Sequence, residues 1–443
     1  MSLNRFFQYF NKQGSFPMIL MLSGLFLFRV VYGLCSEFWF EDELQIYLIG
    51  LKYYTTGLWP YYGPDVVYTQ TQIPGALQGL LAGGSFIAWA APESPILLVN
   101  ILSFGSLCLF GWYISRRFHT FPKWMIYVWL MMAPWTINYG TRVVNPSYVI
   151  IFAIPFFVGF IDLYTNKCRL IPRQLVFFVL GLMLTLIMQL HLSWVLLVPF
   201  AGYAFLIQWH HDRSRLLSSV LIFVIGLLAG AATMVPTLLQ PWPVNRGVES
   251  NVVLNRENIK NIFTVLMRYL AFASAEVNYW LGGNTASRLA VVKDQLWMAP
   301  AVIFLLVAGF AQVILFVVAF FQKNTDEGWV RIKWITVAAF LLVYLSFFFS
   351  IKGPSSHTFI IMMPVPMFYS FYCYEWLLKK RRTVWHRLLV TLVLCTVAFN
   401  IGMALNGYHT RSLYRDREKV KQAIEQRDYH LLGERRSDAW GYR

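Results

Sequence analysis

Three consecutive carboxylates, Glu41, Asp42 and Glu43, are the sharpest chemical feature of the sequence. Adjacent carboxylates repel one another, which favours retention of a proton on one of them. A carboxylate of this kind is suited to act as a general base toward a hydroxyl group. The competing explanation is structural, because acidic residues also stabilise the first turn of a helix. We therefore treat these residues as candidate catalytic groups, with helix capping as the alternative.

The chain as a whole has the composition of a membrane protein. Hydrophobic residues make up 58% of the 443 residues and charged residues only 13%, against roughly 25% charged in a soluble domain. The mean hydropathy is +0.53. The net charge of +16 does not indicate a nucleic-acid partner, because the basic residues lie between apolar runs, where they orient helices. The five cysteines form no CxxC motif and predict no disulfide framework.

Twelve apolar runs approach the length that crosses a bilayer. The stretch from Gln174 to Trp209 is too long for one span, so we divide it into a helical hairpin at Gln189, His191 and Ser193. The runs are 16–35, 74–91, 96–115, 124–140, 147–164, 174–190, 192–209, 216–236, 297–321, 334–351, 357–376 and 387–405.

The basic loops then predict the topology. Alternate loops are rich in Arg and Lys, which places them on the cytoplasmic side together with the N-terminus. This works only if the run 74–91, rich in glycine, does not cross but lies in the interface or re-enters from outside. The result is an all-α polytopic membrane domain over 1–405 with about eleven spanning helices. Long outer loops cover about 36–95 and 237–296, and a basic tail, 406–443, is predicted on the outer face.

Charged residues within the predicted helices, Arg29, Asp162 and Glu375, lie near helix ends. Transporters that couple to ions use ionisable groups at mid-membrane. The sequence therefore favours a site at the outer surface over a conduction path. Residues 44–54, directly after the acids, have helical apolar spacing and predict an amphipathic interfacial helix.

The first outer loop resembles that of the GT-C glycosyltransferases, especially the protein O-mannosyltransferase and aminoarabinose transferase branch (glycosyltransferase family 39). The resemblance rests on the acidic pair 42–43, the aromatic-rich helix 44–54, the Gly-Leu-Trp-Pro-Tyr-Tyr turn at 57–62 and the Pro-Gly at 74–75. It includes Arg-Val-Val-Asn-Pro-Ser at 142–147, covers the first 200 residues or so best, and fades after about 240.

This resemblance implies an inverting glycosyltransferase. The donor would be a sugar on a polyprenyl phosphate, and the acceptor a hydroxyl of a lipid, glycan or protein at the outer face. By the same resemblance, Asp42 matches the catalytic acidic position and Glu43 its neighbour, while the additional Glu41 leaves open which carboxylate is the base. The nearest branch needs no metal, whereas some relatives use a divalent ion. We expect a bacterial inner membrane with periplasmic chemistry; an endoplasmic reticulum member would share this topology.

A departing phosphate needs cationic partners near the membrane surface. Arg142 is the preferred candidate because it is almost alone in a short loop, although each candidate could instead be an interfacial anchor. His191, at the hairpin tip, could be a turn residue or part of the site wall. Tyr279 and Trp280 lie in a loop whose aromatic and amide side chains suit sugar recognition and equally suit any interfacial loop. The candidates are Arg142, Lys352, Lys52 and His357 for the donor phosphate, and His191, Arg246 and Arg256 for substrate binding.

Two other classes remain open. A lipid or polysaccharide transporter would need a polar path through the membrane. An O-antigen ligase or polymerase would concentrate functional Arg and His in a late outer loop and would lack the acidic pair at the start of the first loop. Loss of activity on mutation of Asp42 would favour the glycosyltransferase over the ligase.

Overall fold

A computed structural model describes residues 15–36, 41–66, 71–165, 170–239, 254–323, 326–350, 353–354, 356–409 and 413–433. These residues form a helical bundle with one two-stranded sheet. The strands are β1 (Tyr62–Val66) and β2 (Thr71–Pro74). The helices are α1 (Ser15–Ser36), α2 (Glu41–Thr56), α3 (Leu77–Ala88), α4 (Ser94–Arg117), α5 (Lys123–Met132), α6 (Pro134–Gly140), α7 (Asn145–Thr165), α8 (Arg173–Met188), α9 (Val198–His211), α10 (Leu216–Ala231), α11 (Val235–Leu239), α12 (Ile262–Ala271), α13 (Asn278–Leu281), α14 (Thr285–Asp294), α15 (Ala299–Phe320), α16 (Glu327–Ser346), α17 (Pro364–Lys380), α18 (Arg382–His409) and α19 (Leu413–Glu425).

Eight helical segments of the described chain are long and apolar enough to cross a membrane, which makes this a multi-pass helical membrane protein. Three further predicted spans are helical but shorter or broken. Helix α8 has 16 residues, α17 has 17 residues, and the span at 124–140 is divided into α5 and α6. The eight segments are Phe16–Ser36, Ser94–Arg117, Asn145–Thr165, Leu192–His211, Arg213–Leu239, Leu296–Phe320, Glu327–Phe349 and Arg382–His409.

The break between α5 and α6 is stabilised by Arg29. Pro134 lacks the N–H that would continue the helix, and the Arg29 guanidinium donates to the carbonyl of Met131 at 2.7 Å and to that of Thr136 at 3.4 Å. Arg29 is fully buried and lies seven residues before the end of α1, about 10 Å inside the helix. The sequence placed Arg29 near a helix end, and the structure adds that its side chain is fully buried against the helix break.

The basic loops gather at one end of the bundle, which we call the basic end. Arg117 pairs with Asp162 at 2.8 Å, and the Asp162 carboxylate also accepts the backbone N–H groups of Leu170 and Ile171. Thr120 donates to Glu375, and Arg331 donates to the carbonyl of Tyr164. The predicted grouping of these loops on one side is therefore confirmed, while the assignment of that side to the cytoplasm stays a prediction.

The opposite end, which we call the loop-rich end, holds the first long loop. Helix α3 has 12 residues, about 18 Å, which is too short to cross a bilayer core of about 30 Å. It packs closely against α2, because a Cβ at Gly79 or Gly83 would overlap Ile49 or Tyr53. Residues 45–51 of α2 are all buried. This differs from the one-sided burial expected of an amphipathic interfacial helix.

The division of the stretch 174–209 into a hairpin is confirmed. Helix α8 ends at Met188, and a 3₁₀ turn, Leu192–Leu197, leads into α9. Helix α8 also lies against α10, where a Cβ at Gly226 would overlap a backbone carbonyl of α8. Gly226 and Gly230 are four residues apart, the spacing that lets membrane helices approach closely.

Candidate active site

The three acids form the first turn of α2, so the structure places them where acids also stabilise a helix. Their exposure differs. Glu41 and Asp42 are exposed, whereas Glu43 is 6% exposed. Either of the first two carboxylates is therefore accessible to an acceptor hydroxyl, and Glu43 is held within the fold.

A polar network connects this end of α2 to the β-hairpin. The side-chain oxygen of Gln45 accepts the backbone N–H of Asp65 at 2.8 Å, and Gln72 donates to the Asp65 carboxylate at 3.0 Å. Asp65 is 7% exposed. Because Asp65 stands alone in the sequence between Pro64 and Val66, spacing gave no sign that it would face the acid-bearing helix.

Arg142 lies in the short loop between α6 and α7 and is only 8% exposed. It hydrogen-bonds the hydroxyl of Tyr32, which donates to Asn138 at 2.8 Å. Its guanidinium carbon lies 6.0 Å from the centre of the Trp280 ring. The charged group of an interfacial anchor would extend toward water. The buried position of Arg142 therefore favours a ligand-binding role over an anchoring role.

The Arg142 loop and the acid-bearing helix share the same supports. Asn145, at the start of α7, accepts a hydrogen bond from Gln78 at 3.0 Å, and Gln78 belongs to α3, on which α2 packs. The other flank is the end of α1, where a Cβ at Gly33 would overlap the carbonyl of Thr141. Helices α1 and α3 therefore hold Arg142 on the side of the bundle that carries the acids.

Aromatic rings from two distant segments form a cluster beside Arg142. The Trp135 ring lies 4.8 Å from that of Trp280 and 5.0 Å from that of Tyr279, and Tyr139 lies 5.8 Å from Trp280. Tyr279 and Trp280 were predicted to suit sugar recognition. Trp135 and Tyr139 were not singled out, and the signal that could have found them is the helix break at Pro134 directly before Trp135.

An ion pair continues this cluster. Arg268 lies over the rings of Trp135 and Tyr279, at 5.1 and 4.6 Å, and its guanidinium is 3.4 Å from the Glu276 carboxylate. Burial raises the pKa of the Glu276 carboxyl, although the Arg268 charge opposes that shift. Nothing in the sequence indicated that Arg268 would belong to this cluster.

Several buried polar atoms around this region lack a protein partner among the described residues. They include the side-chain N–H donors of Gln45, Trp135 and Trp280 and the side-chain oxygen of Gln78. Buried polar groups are normally hydrogen-bonded, so each of these atoms calls for water or a ligand. Gln78 contacts Asn145 and the Trp280 ring lies beside Arg142, so this loop is where a polar ligand would satisfy them.

His191 caps the 3₁₀ turn after α8. Its Nδ1 accepts the backbone N–H of Ser193 at 3.1 Å, so the neutral ring carries its proton on Nε2. The Ser193 hydroxyl lies 2.8 Å from the same nitrogen. This arrangement corresponds to the turn-residue explanation of His191.

The other predicted ligands lie apart from Arg142 or outside the described side chains. Lys52 is ten residues beyond Asp42, about 15 Å along α2, with its ammonium 5.8 Å from the Tyr429 ring of the tail. Arg256 is exposed beside the end of α16. Arg246, Lys352 and the side chain of His357 lie outside the described part. Among the described side chains, no three His, Cys, Asp or Glu groups are placed to share a metal ion.

Comparison with known proteins returned no match. No protein-family model matches the chain, and neither a curated protein nor a solved structure is significantly similar to it.

Proposed function

We propose that this chain is an inverting membrane glycosyltransferase of the GT-C type, which moves a sugar from a polyprenyl phosphate to an acceptor hydroxyl. The observation that carries the proposal is the buried Arg142, held by α1 and α3 on the side of the bundle where the exposed acids begin α2. A buried guanidinium suits a phosphate, and an exposed carboxylate suits the removal of a proton from an acceptor.

The proposed reaction is a single displacement. The Asp42 carboxylate takes the proton of the acceptor hydroxyl while its oxygen attacks the anomeric carbon of the donor. The bond from that carbon to the phosphate oxygen breaks, the configuration inverts, and polyprenyl phosphate leaves as an anion. Arg142 stabilises the charge that grows on the phosphate, which is the kind of interaction that lowers the barrier most. His191 and the exposed Arg256 are the further candidates for contact with donor or acceptor groups at this end.

The proposal includes eleven spanning helices, with α5–α6, α8 and α17 added to the eight long segments. The loop-rich end would face the periplasm of a bacterial inner membrane, with the N-terminus in the cytoplasm. The tail supports one part of this arrangement. Arg417 of α19 donates to the carbonyl of Leu34 at 3.0 Å and pairs with Glu93, so residues 413–433 of the tail lie at the same end as the first long loop.

A lipid or polysaccharide transporter is the second candidate. The sequence argument against it was the lack of charge at mid-membrane. The pair Arg268–Glu276 weakens that argument, because Glu276 packs against Gly309, midway along the 22-residue helix α15. Ionisable groups at such a depth mark transport paths as well as catalytic sites.

The test is a panel of polyprenyl-phosphate sugars incubated with purified wild-type protein and with Asp42→Asn. We expect wild type to release sugar or transfer it from one donor, and Asp42→Asn to lose this activity. The matched control is Asp294→Asn, which removes an exposed carboxylate at the loop-rich end. This variant should behave as wild type. If the protein binds no donor and instead moves labelled lipid across the membrane of proteoliposomes, the transporter hypothesis would replace the transferase hypothesis.

A further inference from the structure

A groove of about 640 Å³ lies between α12 and α15 on the outer surface of the bundle. Phe263, Met267, Leu306 and Phe310 line it, and Phe263 and Phe310 are 74% and 58% exposed. Because α15 belongs to one of the spanning segments, its exposed side chains Leu306 and Phe310 face lipid. The groove has the size of a ligand site.

The ion pair Arg268–Glu276 forms the polar wall of this groove. Charged groups inside a membrane are costly and are retained at functional sites. The two side chains are 29% and 19% exposed. Both charges are therefore reachable from the groove.

Each member of the pair is held in place by other groups. The Glu276 carboxylate accepts the backbone N–H of Tyr279 at 2.9 Å and that of Asn278. The Arg268 guanidinium is fixed over the Trp135 and Tyr279 rings. A guanidinium has five N–H donors and a carboxylate about four acceptor positions, so the contact between Arg268 and Glu276 leaves both with capacity for a ligand.

The geometry points to a glycerophospholipid with a primary ammonium headgroup as the occupant of this groove. One acyl chain lies between α12 and α15, the phosphodiester accepts hydrogen bonds from Arg268, and the ammonium donates to Glu276. An anionic headgroup would bring negative charge toward Glu276, and a quaternary ammonium has no N–H to donate. The adjacent charges of opposite sign therefore select a zwitterion that can donate hydrogen bonds.

The bound headgroup lies deeper than its neighbours in the leaflet, at the level of Gly309. Hydrocarbon offers no hydrogen-bond partners at that depth, but Arg268 and Glu276 supply them. The site does not depend on the proposed transfer reaction. It is joined to that site through Trp135, whose ring contacts both Arg268 and Trp280.

Native mass spectrometry of the full chain, with equimolar phosphatidylethanolamine, phosphatidylcholine and phosphatidylglycerol of identical acyl chains, tests the headgroup. We expect the phosphatidylethanolamine adduct to exceed each of the others at least tenfold. The double variant Arg268→Gln/Glu276→Gln should lose this preference. The matched control, Glu257→Gln/Lys260→Gln, removes an exposed ion pair three residues apart in the same loop and should keep it.

A second pair of variants tests the groove without touching the ion pair. Leu306→Trp fills the groove and should lower adduct occupancy at least tenfold, whereas Ile303→Trp, on the exposed face of the same helix but outside the groove, should not. Both positions face lipid, so both variants should fold. Equal binding of the three lipids, or equal occupancy in Leu306→Trp and Ile303→Trp, would overturn the proposal.

Discussion

Replacement of Arg142 by glutamine should slow sugar transfer without unfolding the protein. A guanidinium gives a phosphate two parallel charge-assisted hydrogen bonds, each worth about 1.5–3 kcal/mol. Glutamine keeps one neutral donor, worth about 1 kcal/mol. The loss of transition-state stabilisation is therefore about 2–5 kcal/mol, which lowers kcat/KM about 30- to 5,000-fold. Solvent screens the Arg142 charge little, because Arg142 is only 8% exposed.

The fold should tolerate this change because Tyr32 keeps its hydrogen bond to Asn138. The assay is kcat/KM for the donor found in the panel, with the thermal unfolding temperature measured in the same detergent. Arg142→Lys keeps the charge but loses the planar fork, so its activity should fall between wild type and Arg142→Gln. Arg215→Gln is the control, since Arg215 is 62% exposed at the basic end. A folded Arg142→Gln with kcat/KM within threefold of wild type would refute a phosphate role for Arg142.

Three further changes test the fold. Asp162→Asn should destabilise the protein by about 3–5 kcal/mol, because it leaves the buried Arg117 without its carboxylate partner. Glu327→Gln, which removes an exposed acid, should shift the unfolding temperature little. Equal shifts in the two variants would contradict the role of the buried pair. Gly226→Leu should cost at least about 1–3 kcal/mol through overlap with α8, whereas Gly202→Leu, which meets open space, should unfold as wild type does. Arg417→Gln should speed hydrogen exchange in residues 413–433 and leave exchange in α12 (262–271) unchanged. Unchanged exchange in residues 413–433 would show that Arg417 does not fix the tail to the first long loop.

The helical segments could be predicted from the sequence because bilayer length and loop charge are local signals. The hairpin at Gln189 followed from three polar residues within one apolar stretch, and the basic loops do meet at one end. The glycines at 79 and 83 were noted as a reason against a span. Their packing against α2 was not predictable, because it depends on a partner some 30 residues away.

The candidate site was only partly predictable. The loop position of Arg142 identified it, but its burial follows from contacts with Tyr32 and Trp280, which are about 110 and 140 residues distant in sequence. The sequence around Arg268 contains no motif, and nothing nearby in the chain indicates that Arg268 stacks on Trp135. Long-range contacts of this kind leave no periodicity or spacing in a single sequence.

The most direct test of the central claim is the single-turnover rate of sugar transfer from the identified donor, measured for wild type and Asp42→Asn at saturating donor. If Asp42 is the general base, the variant should bind the donor as wild type does and transfer its sugar at least a hundredfold more slowly. Transfer at the wild-type rate by Asp42→Asn would contradict the claim and move the base to another group.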